Sequence, residues 1–280
     1  MGKQTDAQPQ TAMVPAGDVP EFVGLTSITT AQIGELIREN FGASGLSIFD
    51  FPKVDLPAGG GTAWEVPSLA GPTYTNTLEG IIIMAQDHRV YYRDAYQGGG
   101  EKPDCSSKDA LVAEEDGDPG GWCEKCPLAK WGSSEKGRGQ ACSLRKQIVL
   151  LRPHEFFPIM VDLPPSALGE LRKYMIALTS AGKLLTHVAT AITLRKEKNA
   201  AGIEYSKPDF RLLSVLDAET AARGTEYGKA IRSIIKLQDL AADVEAATSS
   251  DARTELSHIP APAEMAAPAN ADSDDPFGGN

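Results

Sequence analysis

The most restrictive feature of this 280-residue sequence is the segment from residue 98 to residue 142, which holds all four cysteines and few large apolar side chains. A segment of this composition cannot bury enough apolar surface to fold alone, so it must be cross-linked or stay disordered. The cysteines are Cys105, Cys123, Cys126 and Cys142. Because they are not spread through the chain as a framework, they argue against a disulfide-stapled secreted domain and suit a reducing cytoplasm.

The spacing of these cysteines predicts one structural zinc ion. Cys123 and Cys126 form a Cys-x-x-Cys pair that reaches a single ion from a tight turn, and Cys105 and Cys142 supply the other two thiolates. Four thiolates in a tetrahedron leave no position open for water, so the ion would stabilise the fold without catalysing a reaction. A thioredoxin-like redox pair is the alternative, but it lacks its usual βαβ context here.

Outside this segment the hydrophobic pattern predicts a mainly β fold with helices (α+β). A capping-box-like start at Thr29 predicts a short helix up to Gly42, and a second helix opens at Pro164 and closes at Gly182. A terminal helix begins at Ala218 and continues to about residue 244. Strand-like runs cover residues 46–51, 62–66, 78–85, 89–94, 147–151, 156–163, 187–194 and 210–215.

The order of these elements predicts an OB-like five-stranded barrel. The runs 78–85 and 89–94 are interpreted as a hairpin, and a helix stands between the third and fourth strand blocks, as it does in OB folds. A generic α+β sheet with the same elements is the alternative. In either case the cysteine segment is an insertion in the β core.

Charge divides the chain into parts. The net charge is −11, yet residues 143–236 contain fifteen Lys or Arg against nine Asp or Glu, and residues 239–280 contain nine acidic residues against one basic residue. We expect a disordered N-terminal arm over 1–22, an OB-like DNA-binding core over 23–245 with the zinc-binding insertion at 98–142, and a disordered acidic tail over 246–280.

The core offers both groups that sequence-tolerant binding of single strands needs, namely cations for phosphates and rings for base stacking. Strand alternation puts Arg89, Tyr91 and Arg93 on one face. Any single ring is better explained by core packing and any single cation by solvation, so the prediction concerns the set, with Trp131 as a further stacking candidate. The DNA-binding candidates are Trp64, Arg89, Tyr91, Arg93, Tyr96, Arg152, Arg195, Lys196, Lys198, Tyr205, Lys207 and Arg211.

The tail ends in Asp274, Asp275, Pro276 and Phe277, an acidic run followed by a ring that could fill a partner's pocket. It resembles the C-terminal tip of bacterial single-stranded-DNA-binding proteins, and a zinc subdomain in an OB fold is similar to the helix-destabilising proteins of tailed bacteriophages. The resemblance implies a phage or prophage protein that coats single-stranded DNA in the cytoplasm of a bacterial host during replication or recombination and recruits partner proteins through its tail. Here residues 278–280 follow the ring, and the phage zinc motif includes a histidine where this chain has four cysteines.

Other functions are less well supported by the sequence. Gly59-Gly60-Gly61 lacks the Lys-Ser/Thr of a phosphate-binding loop, no Gly-x-Ser-x-Gly elbow is present, and the four histidines are scattered, so we expect no enzyme. No stretch is apolar enough for a bilayer span. The alternatives are a zinc-containing adaptor or transcription-type module that binds protein or duplex DNA, and a strand-annealing recombination protein. His88 and His154 are weaker candidates for a zinc ligand.

Overall fold

The computed structural model describes residues 20–27, 29–42, 50–94, 102–135, 139–199 and 202–233, all within a compact unit of residues 1–235. The described helices are α1 (Val23–Thr26), α2 (Thr30–Phe41), α3 (Pro165–Ser180) and α4 (218–233). The strands are β1 (Lys53–Asp55), β2 (Trp64–Val66), β3 (Thr73–Thr75), β4 (Thr77–Tyr91), β5 (Cys105–Ser107), β6 (Ser143–Leu151), β7 (Ile159–Leu163), β8 (Val188–Lys198) and β9 (Glu204–Val215). No helix among these residues is long and apolar enough to cross a membrane.

Seven strands form one curled sheet in the order β1-β7-β6-β4-β8-β9, with β5 paired to β4. The sheet curls because β4 changes partners: its residues 77–80 pair with β8, and the rest pairs with β6. A bulge between Ile82 and Met84 lies just beyond this change, where it adds local twist. The fold is therefore a mixed α/β half-barrel, compatible with the predicted OB-like α+β fold.

The predicted hairpin over residues 78–94 is wrong, because β4 is one continuous strand of fifteen residues. The polar triplet Gln86-Asp87-His88 was interpreted as a turn, yet each residue continues the antiparallel ladder with β6. Asp87 pairs with Lys146 at 2.6 Å, and Gln86 donates to the Lys108 carbonyl oxygen at 2.7 Å. Neighbouring elements therefore satisfy polar side chains that look like turn residues in isolation.

The inner face of the curled sheet packs against α3. Leu171 and Leu178 of this helix are buried with Ile148 and Leu150 of β6, and the ring of Tyr174 stacks on Phe210 of β9 with centroids 6.0 Å apart. The helix starts with proline in its first turn and ends before Gly182, whose φ of 67° suits glycine. The predicted second helix is confirmed in type and position.

The opposite face of the sheet has a second core, which is covered by α2, α4 and the N-terminal segment. Ile33 and Ile37 of α2 are buried there, and the helix begins with the predicted capping box between Thr29 and Gln32. Phe22 is only 2% exposed and belongs to this core. The predicted disordered arm over 1–22 therefore extends too far, because its last residue is needed to cover apolar strand side chains.

A hydrogen-bonded clasp holds the segment after β1 against β9. The Ser206 hydroxyl lies 2.7 Å from the carbonyl oxygens of both Pro57 and Gly61. The side chain of Lys196 in β8 lies where a Cβ on Gly60 would stand, so the loop fits only with glycine at that position. Residues 57–61 are thus packed closely onto β8 and β9, the last two strands at one end of the sheet.

Ser206→Ala is expected to lower the free energy of unfolding by about 1–2 kcal/mol, because the carbonyl oxygens of half-buried Pro57 and Gly61 lose their donor. The measurement is denaturant unfolding at neutral pH. Ser214→Ala in the same strand is the matched control, since its buried hydroxyl has no hydrogen-bond partner among the described residues. Equal losses for the two variants would contradict the clasp.

Candidate functional site

The β8–β9 ribbon brings together six of the twelve predicted DNA-binding residues. Its antiparallel register places Arg195 opposite Lys207 and Glu197 opposite Tyr205. Because directly opposed residues in a ladder point to the same face, these four side chains form one surface patch. The sequence pattern did not predict this register, which places residues 195–198 opposite residues 204–207.

Two carboxylates hold the cations of this patch. Glu197 lies 2.9 Å from Arg195 and 3.3 Å from Lys207, and accepts a hydrogen bond of 2.9 Å from the Tyr205 hydroxyl. Glu170 of α3 lies 3.1 Å from Lys207 and 3.6 Å from Arg195. The hydrogen bond from Tyr205 lowers the pKa of Glu197, and the one from Lys207 lowers the pKa of Glu170. Both carboxylates are therefore ionised at neutral pH.

The other cations of the ribbon are also paired. Lys196 and Lys198 both approach Glu204, at 2.6 and 3.4 Å, and Arg211 approaches Asp209 at 2.7 Å. With Lys173, which lies 3.2 Å from Glu170, the network contains six cations and four carboxylates, a net charge of +2. The ribbon is thus a cationic surface in a chain whose net charge is −11.

The candidates at the end of β4 attach the cysteine segment to the sheet. The Arg89 guanidinium donates to the Cys142 carbonyl oxygen at 3.1 Å. Arg93 follows the strand, where its side chain pairs with Asp118 and its backbone N–H donates to Asp104 at 2.7 Å. Tyr91 is half-buried, and its backbone is paired with Cys105 in β5. These contacts explain the basic residues here as supports of the insertion.

Two of the remaining DNA-binding candidates, Trp64 and Arg152, do not join either group. The prediction that Trp64 binds DNA is wrong. Its ring is fully buried in the inner core and its Nε1 donates to the Ile192 carbonyl oxygen at 3.1 Å, so it cannot stack on a base. Arg152 pairs with Glu155 at 3.1 Å, immediately after β6. Tyr96 lies outside the described residues, as do the predicted partner-binding residues Asp274, Asp275, Pro276 and Phe277.

The cysteine segment places its four thiols in one neighbourhood. Cys105 lies in β5, while Cys123 and Cys126 belong to one turn closed by a backbone hydrogen bond of 3.3 Å, and the N–H of Cys142 donates to Leu128. Three of the thiols are buried, and Cys126 is half-buried. Burial raises the pKa of Cys105 and raises that of Cys142 to about 11, and neighbouring cysteines add to both shifts.

Zinc-binding geometry is not preassembled in this neighbourhood. Within the described parts of the chain, no three histidine, cysteine, aspartate or glutamate side chains are arranged to hold a metal ion. A Cβ added to Gly117 would lie 3.0 Å from the Cys105 sulfur, so the backbone approaches this sulfur closely. The backbone N–H of Gly120 also donates to it. Donors of this kind commonly surround ligating thiolates.

Large apolar side chains are exposed on the same segment. Trp122 and Trp131 are 61% and 75% exposed, and Leu111 is 62% exposed. Val112 forms an isolated antiparallel bridge with Trp122, which fixes the backbone at that ring. Trp131 therefore satisfies the exposure that base stacking needs, whereas Trp64 does not.

A buried polar cluster lies on three neighbouring strands and was missed from the sequence. His88 of β4 approaches Asp162 of β7 with its Nε2 3.4 Å from a carboxylate oxygen, and Arg145 of β6 lies 2.8 Å from the same carboxylate. His88 Nδ1 is buried and has no partner among the described residues. Only the alternation of buried and exposed side chains along β4 could have indicated this cluster from the sequence. The predicted hairpin interrupts that alternation at Gln86-Asp87-His88.

Comparison of the chain with protein-family models, with curated proteins and with solved structures gave no match.

The stability of the protein is expected to fall as the pH drops below about 6.5, because burial lowers the pKa of His88 in the folded state. Asp162 and Asp87 oppose this shift, while Arg145 and Lys53 reinforce it. A group with a depressed folded pKa binds more protons when unfolded, so its contribution is complete above the unfolded pKa and is lost as the pH falls through the folded pKa.

The measurement is the free energy of unfolding between pH 7 and pH 5, a window that starts above the unfolded histidine pKa of about 6.5. His88→Gln should flatten the profile, and His154→Asn, at an exposed histidine with a φ of 63°, should leave it unchanged. A wild-type profile that runs parallel to that of His88→Gln would exclude the cluster as the source of the pH dependence of stability.

Proposed function

We propose that this chain is a non-enzymatic protein that binds single-stranded DNA without sequence specificity, in DNA replication or recombination. In this proposal β4, β6, β7, β8 and β9 are the five strands of an OB-like barrel. Support comes from their order in the sheet, β7-β6-β4-β8-β9, and from α3, which stands between the third and fourth of them. OB folds bind oligonucleotides or oligosaccharides on a strand face flanked by the loops between strands one and two and between strands four and five.

The observation that carries the proposal is the location of the cationic ribbon. The β8–β9 hairpin occupies the position of the loop between strands four and five, and it presents five of the six cations of the network and the ring of Tyr205. The cysteine segment, with exposed Trp131, occupies the position of the loop between strands one and two. Cations and exposed rings beside one strand face are what sequence-tolerant binding of single strands requires.

The proposal includes one structural zinc ion held by Cys105, Cys123, Cys126 and Cys142. Support comes from the shared neighbourhood of the thiols, the close turn at the Cys-x-x-Cys pair and the poor apolar content of the segment. Binding would require the thiol side chains to turn toward a common point and lose their protons. The ion would fix the segment as one wall of the DNA-binding surface.

The acidic tail has a separate role in this proposal. Residues 272–277 would recruit replication or recombination proteins, with Phe277 as the contact ring and Asp274 and Asp275 as its charged neighbours. A tethered polyanion also competes with DNA for a cationic surface, most strongly at low salt. Support for this part comes from the composition of the sequence alone.

Wild-type protein is expected to bind oligo-dT in preference to a duplex, with an affinity that falls steeply as salt rises because bound phosphates release counterions. Glu197→Gln should tighten binding by roughly two- to fivefold at low salt, since one unit charge at about 4–8 Å in water contributes roughly 0.5–1 kcal/mol. It removes one of the two carboxylates that pair with Arg195 and Lys207, while glutamine can still accept from Tyr205. Fluorescence titration with labelled oligo-dT measures both effects.

Glu219→Gln is the matched control, because it makes the same change of charge at an exposed carboxylate on α4. Equal gains in both variants would show a response to net charge and not to the ribbon. Equal affinity of the wild type for duplex and single strand would overturn the proposed function itself.

Purified protein is expected to contain one zinc ion per chain, and Cys123→Ser should lose it, because three remaining thiolates leave the tetrahedron incomplete. Metal analysis after dialysis and thermal unfolding measure the effect. Glu124→Gln is the control, since this residue lies in the same turn and is exposed. Zinc-free wild-type protein with four titratable thiols would contradict the proposed site.

A further inference from the structure

A cavity of about 440 Å³ opens at the seam of the half-barrel. Leu56, which follows β1, and Pro164, which follows β7, line one side, and Tyr205 of β9 lines the other. Strands β1 and β9 are the two margins of the sheet, so the cavity lies where the barrel is open. It falls within the size range of small-molecule and cofactor pockets.

The cavity is lined by rings together with polar side chains, and part of its wall is held in place. Pro57 and Pro164 contribute rigid rings, and the hydroxyl of Tyr205 is held by Glu197 at 2.9 Å. The Ser206 clasp fixes Pro57 against β9. A planar ligand in contact with Tyr205 would therefore meet a surface that needs little reorganisation to receive it.

Charge around the cavity indicates which planar ligand fits. Arg195 of β8 lies on the same face of the ribbon as Tyr205, and its side chain is 44% exposed. Lys207 is two residues from Tyr205 in β9. A ligand with a planar apolar part and an anionic part can use both the rings and the cations, whereas a neutral sugar would leave the cations unused. A nucleotide has this combination.

We propose that this cavity receives one base of a bound single strand, stacked against Tyr205, with the adjacent phosphates beside Arg195 and Lys207. The inference rests on the proposed function and adds to it a defined base subsite at the barrel seam. One wall of the subsite, residues 56–59, lies outside the five strands of the proposed barrel. The subsite therefore depends on residues 56–59, which the five-stranded barrel itself does not include.

The test compares oligo-dT with a base-free deoxyribose-phosphate strand of equal length, on wild type, Tyr205→Leu and Tyr205→Phe. Stacking predicts that Tyr205→Leu weakens binding of oligo-dT by roughly 5- to 150-fold and leaves the base-free strand unaffected. Tyr205→Phe keeps the ring and should retain most of the affinity. Tyr74→Leu, at a tyrosine that is 69% exposed on the β2–β3 hairpin, is the matched control and should bind as wild type.

Each alternative result has a distinct meaning. If wild type binds oligo-dT and Tyr205→Leu binds it equally well, the subsite is wrong and the proposed function stands. Equal weakening on both strands would place Tyr205 beside the backbone or in the fold, and would also overturn the subsite. If wild type shows no preference for oligo-dT over a duplex, or binds cellohexaose in its place, the proposed function fails as well.

Discussion

Strand β4 is shared by both hydrophobic cores, and the rest of the structure depends on it. Its four consecutive residues Ile81, Ile82, Ile83 and Met84 are at most 3% exposed, so this stretch has no face toward solvent. Ile82 belongs to the core that packs against α3, and the other three belong to the second core, which α2 and α4 cover. Such a strand is stable only when α3 covers one side and α2 and α4 cover the other.

The same strand joins the two halves of the candidate site. Gly80 lies where β4 changes partners, and a Cβ there would stand 2.5 Å from the Leu151 carbonyl oxygen, so the two backbones meet only because this residue is glycine. Before this point β4 pairs with the strand of the cationic ribbon, and beyond it β4 supports the cysteine segment through β5. A change in the curl of β4 would therefore move the ribbon relative to the insertion.

The sequence was most informative where a local signal decides the structure. The capping box at Thr29 and the Pro165 and Gly182 boundaries of α3 are short-range chemistry, and the structure has both helices there. Burial and ion pairing depend on distant residues. The partner of Trp64 is 128 positions away, and Glu170 reaches Lys207 from a different element, so no local pattern separates a stacking ring from a core ring or a free lysine from a paired one.

The carboxylates of the ribbon have two opposing effects on an anionic ligand. They reduce the local positive potential. They also hold Arg195, Lys207 and Tyr205 in one geometry, which lowers the entropic cost of ordering these side chains when a ligand binds. The exposed pairs of Lys196 and Lys198 with Glu204 contribute little to stability, so phosphates can replace Glu204 without unfolding the ribbon. The clasp at Ser206 is different, because it is buried and positions the loop that forms one wall of the seam cavity. The attachment of the 57–61 loop to β9 and the shape of the cavity thus depend on the same hydroxyl, whereas charge at the surface can be exchanged independently of both.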